Sequence, residues 1–74
     1  MKYNNKQIAL ELEATAEGIS YYGNALYVAL DHPATTANDR QMLRRYLYGS
    51  ELSSDRFRLQ DLAIKIRFYG VYNE

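Results

Sequence analysis

His32 is the one imidazole in this 74-residue chain and the one side chain whose ordinary titration lies near neutrality, so it is the first candidate for general acid or base chemistry. Such work needs a nucleophile or carboxylate partner. Ser50, Ser53 and Ser54 fall near expected helix caps and Ser20 follows Gly18 closely, so no catalytic triad is spelled out. With no cysteine and no Glu-x-x-His pair, the chain offers no metal-ligand set. Gly18 and Gly23 lack the strand and the lysine of a phosphate-binding loop. The residues therefore predict a protein that is not an enzyme, with no catalytic residue, metal or cofactor. Between Asp31 and Pro33, His32 is expected to close a helix end by interacting with terminal carbonyls.

Two other groups could recognise a partner. Arg40, Arg44 and Arg45 lie beside Tyr46 and Tyr48, and arginines along a helix next to aromatics can hold phosphates and stack on bases. Helix, turn and helix across 37–69 also share the outline of a helix-turn-helix. Its second helix, however, gives much of its surface to Phe57, Leu59, Leu62, Ile64, Ile66 and Phe68, as a core helix does. The arginines are thus expected to pair with Glu11, Glu13 and Glu17, and nucleic-acid binding is the alternative reading. Tyr21 and Tyr27 are the second group: exposed tyrosines on a helix offer large contact area at low entropy cost, which suits a protein partner.

These residues must be positioned by helices. Ile8, Leu12, Thr15, Ile19, Tyr22, Leu26 and Ala29 recur at alternating steps of four and three, the pattern of a coiled-coil seam, and Ala9, Ala16, Gly23 and Leu30 follow beside it at steps of seven. The unbroken phasing predicts one long helix over about 5–31, begun by Asn4 or Asn5 and ended before Pro33. Gly18 and Gly23 stand against continuity, and Ser20 could cap a second helix instead. Thr36 and Asp39 have the spacing of a capping box and open a helix over 37–48, with Gly49 as its expected left-handed end. A third helix is expected over 54–69, capped by Ser53 or Ser54, with Leu59, Leu62, Ile66 and Tyr69 as its stripe and Phe57, Ile64 and Phe68 widening it.

The expected architecture is a single all-α domain over 1–74, a long N-terminal helix packed with two shorter ones. The shorter two could lie end to end along the first or fold back as a three-helix unit. Domains under about 80 residues are usually reinforced by disulfides, a metal or oligomerisation, and only the last is open to this chain. A homodimer is expected through Ile8, Leu12, Ala16, Ile19, Tyr22, Gly23, Leu26, Phe57, Ile64 and Phe68.

Nine basic and nine acidic residues cancel, so no global field draws the chain to nucleic acid or acidic lipid. The first 37 residues carry two cations against four anions and the remainder seven against five, so the basic C-terminal helices suit the acidic N-terminal one. No apolar run approaches the roughly 20 residues of a membrane span, and neither a signal peptide nor a membrane partner is expected.

The runs Asp39-Arg-Gln-Met-Leu-Arg-Arg-Tyr-Leu-Tyr-Gly49 and Ser54-Asp-Arg-Phe-Arg-Leu-Gln-Asp-Leu-Ala-Ile-Lys-Ile-Arg67 resemble the small early-region accessory proteins of lambda-like enterobacterial phages. The resemblance transfers no functional residue. It implies a cytoplasmic, non-enzymatic regulator that acts by binding a host or phage protein.

Overall fold

The computed structural model describes residues 3–49 and 56–70, which form four helices: α1 (Asn5–Ala16), α2 (Ala25–Leu30), α3 (Ala37–Gly49) and α4 (Arg56–Arg67). No strand occurs among the described residues. The positions expected to cap α4, Ser53 and Ser54, and the tail from Val71 lie outside the described residues.

The long N-terminal helix is not formed. α1 starts as its sequence directs, with a reciprocal capping box in which Asn4 Oδ1 accepts from the Gln7 amide at 2.8 Å and Gln7 Oε1 accepts from the Asn4 amide at 3.1 Å. It ends at Ala16 in a Schellman motif: Gly18 takes φ +80°, its amide donates to the Thr15 carbonyl at 3.0 Å, and the Ile19 amide donates to the Ala14 carbonyl at 2.8 Å. A Cβ disfavours that left-handed conformation, so the glycine that merely weakens a continuous helix is well suited to ending one. The spacing of apolar residues continues past the break, but Ile19 is 48% exposed and Gly23 is also exposed, so neither lies in a seam.

After this turn the chain doubles back. α2 follows Asn24, which makes no side-chain cap, and its end is closed by other groups. Thr35 Oγ1 donates to the Ala29 carbonyl at 2.6 Å and Arg40 Nε donates to the Leu30 carbonyl at 3.0 Å. α3 opens with the expected capping box, the Thr36 amide donating to Asp39 Oδ2 at 3.1 Å and the Asp39 amide to Thr36 Oγ1 at 3.2 Å. Gly49 is the last helical residue of α3 and does not take a left-handed φ, in contrast to Gly70 at +84° beyond α4.

α1 and α4 pack as an antiparallel pair. Arg56 Nε, at the start of α4, donates to the Ala16 carbonyl that ends α1 at 3.1 Å, and Tyr69 beyond the other end of α4 reaches His32, which holds Asn5. α2 packs on α1 and carries α3 on its other side. Ile8, Leu12, Leu26, Met42, Leu43, Leu59, Leu62 and Ile66 fill the core, with alanines 9, 16, 25, 29 and 63 between them. Four residues expected to meet a second copy, Ile8, Leu12, Ala16 and Leu26, are therefore spent inside the chain itself. Of the small-residue ladder, Ala9 and Ala16 are buried internally and Gly23 faces open space apart from Ser20 Oγ. The radius of gyration, 11.3 Å, matches the ~11 Å of a compact domain of this length.

Candidate interaction surface

Inside the fold, one carboxylate organises the segment that replaces the expected helix. Glu11 is 1% exposed, and its Oε1 accepts the amides of Tyr21 at 2.8 Å and Tyr22 at 2.7 Å while Oε2 accepts the Ser20 hydroxyl at 3.0 Å. A buried carboxylate is tolerated only with such donors around it. Glu11 therefore pairs with two backbone amides and the hydroxyls of Ser20 and Thr15, and not with the arginines expected for it. The available signal was its place beside Ile8 and Leu12 on the buried side of α1, where a carboxylate must find partners.

The ion pairing expected between the acidic first helix and the last one is made by Glu13, which binds Arg67 Nη2 at 2.8 Å. Lys65 joins Asp39 at 2.6 Å, linking α4 to the first turn of α3. Burial alone would raise the Asp39 pKa, but the hydrogen bonds from Lys65, the Thr36 amide and the Thr36 hydroxyl, with the Lys65 charge, outweigh it and leave it lowered.

His32 sits at a three-way junction. Its Nδ1 accepts the Ala34 amide at 3.0 Å, so the ring proton resides on Nε2, which donates to Asn5 Oδ1 at 2.8 Å. The Tyr69 ring meets it edge-on at 5.2 Å between centroids. Burial lowers its pKa, favouring this neutral form. Both nitrogens are thus occupied by the fold. Its bond to the Ala34 amide, not to a terminal carbonyl, corrects the expected way of closing α2.

Of the residues read as partner-binding, Arg40 is committed to the Leu30 carbonyl, whereas Arg44 and Arg45 stand on the exposed side of α3. Tyr27 and Tyr48 meet edge-on at 6.4 Å, joining α2 to α3 next to Arg44, one turn before Tyr48. Tyr21 is exposed, with its amide held by Glu11, and Tyr22 is half-buried against Tyr3 at 5.8 Å.

The outer side of α4 differs from all of these. Phe57, Ile64 and Phe68 are 75%, 54% and 45% exposed. At 100° per residue they fall within about 40° of one another, and they lie opposite the buried Leu59, Leu62 and Ile66. The sequence grouped both sets into one broad stripe. The structure separates them into an inner face spent on α1 and an outer side on which Phe57 and Ile64 are more than half exposed, so α4 is apolar on two opposite sides. That outer face is the candidate site.

No family model, curated protein or solved structure matches this chain. Among the described residues no group of three or more histidine and carboxylate side chains could hold a metal ion, and no helix is long and apolar enough to cross a membrane.

Proposed function

We propose that this chain is a non-enzymatic protein-interaction module that self-associates through the outer face of α4. The observation that carries the reading is the exposure of Phe57 and Ile64 on one side of α4, because a helix apolar on opposite sides normally has both covered. A second copy suits this face. The chain's formal charge is zero, so two copies meet without net repulsion. An antiparallel arrangement of two α4 helices lays the side bearing Phe57 and Ile64 of one copy on the same side of the other. A regulator of the phage early-region kind, docking a host or phage protein from such an assembled state, is the role this reading supports.

Light scattering on the purified chain over a wide concentration range tests it. The expected result is a dimer mass that falls to the monomer mass in Phe57→Ser/Ile64→Ser, with the helical circular dichroism retained. A monomer at all concentrations removes the self-association reading.

The Tyr27–Tyr48 ring pair beside Arg44 supports a second reading, a small nucleic-acid-binding regulator acting through Arg44 and Arg45. It requires binding to a labelled DNA or RNA strand that weakens steeply with salt and is lost in Arg44→Gln/Arg45→Gln.

A further inference from the structure

Away from the outer face of α4, a cavity of about 400 Å³ opens where the N-terminal half of α1 meets the end of α4 and the segment before α2. It is lined by Lys6, Gln7, Leu10, Tyr22 and Arg67. Its volume lies within the range of about 300–1,000 Å³ in which proteins hold small molecules. Leu10 and Tyr22 supply apolar wall, and the Tyr22 ring packs against that of Tyr3 at 5.8 Å between centroids.

The polar groups are unequal in sign. Lys6 and Arg67 bring two positive charges, and among the described residues the carboxylate bound to them is Glu13, on Arg67 Nη2. The Nε of that guanidinium is shut off from solvent and, among the described residues, has no acceptor. An N–H of a charged group buried without a partner is costly, and small shifts of the arginine toward an incoming acceptor relieve that cost.

We propose that this cavity binds a small monoanionic ligand with an aromatic or aliphatic body, a carboxylate whose charged end lies between Lys6 and Arg67 and whose body lies on Leu10 and Tyr22. The charge excess selects an anion, and the apolar wall distinguishes an organic acid from an inorganic one. The site makes no use of Phe57, Ile64 or Phe68, so it stands or falls independently of self-association.

The test is an amide-resolved NMR titration of the full chain with 3-phenylpropionate, with its neutral amide, and with acetate. Saturable shifts at Lys6, Gln7, Leu10, Tyr22 and Arg67 are expected with 3-phenylpropionate, with binding about tenfold weaker for the amide, the worth of one charge-assisted hydrogen bond. Acetate is expected to bind weaker still. Lys6 and Leu10 are exposed, so Lys6→Gln and Leu10→Asp keep the fold. The first should weaken 3-phenylpropionate severalfold and the second should abolish its binding. No saturable shift at these residues, equal binding of acid and amide, or equal binding of acetate would each overturn the proposal.

Discussion

The carboxylate of Glu11 accepts the amide of Tyr22 at 2.7 Å, across eleven positions of sequence, and the amide of Tyr21 at 2.8 Å. One side chain in the middle of α1 thereby takes over the hydrogen bonds that a continued helix would have given these residues. The turn at Gly18 and the burial of Glu11 form one device, since neither the loop amides nor the carboxylate is satisfied without the other.

Replacing Glu11 with Ala leaves two loop amides and the Ser20 hydroxyl without their acceptor. The expected loss of stability is about 2 to 4 kcal/mol, read from urea denaturation. A loss below about 0.5 kcal/mol would show that the loop does not depend on this residue.

The two glycines of the segment should behave differently. Gly18→Ala forces a Cβ into a left-handed backbone and is expected to cost about 1 kcal/mol. Gly23→Ala places its Cβ 3.5 Å from Ser20 Oγ, an ordinary contact, and should change stability by less than about 0.5 kcal/mol. Equal effects from both, measured by thermal melts, would contradict the helix end at Ala16.

Lowering the pH should weaken the fold through His32. Its native pKa is lowered from the ordinary 6.5, so the unfolded chain takes up the proton more readily. The stabilisation is complete above that value, declines as pH falls below it, and levels off once the native ring is protonated too. Protonated Nδ1 can no longer accept the Ala34 amide. In His32→Asn the fall in melting temperature between pH 7.5 and 5 should shrink, and an unchanged fall would assign it to other groups.

Asp39 acts over a more acidic range. Its native pKa lies below the ordinary 3.8, so its contribution is present above that value and is lost as pH falls through the lowered native one. Asp39→Asn should cost about 1 kcal/mol at pH 7, through loss of the charged acceptor of half-exposed Lys65, since the asparagine oxygen can still accept the Thr36 amide. The difference from the parent chain should narrow in melts near pH 3; a constant difference would mean that charge plays no part.

The starts of α1 and α3 were legible in the sequence, α2 was not anticipated as a separate helix, and the end of α1 was misplaced. Asn4 with Gln7 and Thr36 with Asp39 are local devices, complete within four residues, and they form as their spacing predicts. The end of α1 depends on Gly18 and on a carboxylate seven residues before it, while the apolar spacing through Ile19, Tyr22 and Leu26 continues as though nothing had happened. A period describes which residues could share a face of one helix, and it holds no information on whether the chain turns. Phe57, Ile64 and Phe68 were recognisable as apolar but not as exposed, because which side of α4 is covered depends on where α1 lies. The charge asymmetry was informative for Glu13 and Arg67, whereas Arg40 found a carbonyl where a carboxylate was expected.

Two helix ends in this fold are closed by arginines that come later in the chain. The last carbonyl of α2 waits ten residues for Arg40, but that of α1 waits forty for Arg56. A chain leaving the ribosome N-terminus first therefore exposes α1 with an unfinished end, and with its apolar face uncovered, until α4 has emerged. Early segments of about 12 residues are marginal helices alone, so the four helices are expected to acquire structure together, the first stabilised by the last of them to be made.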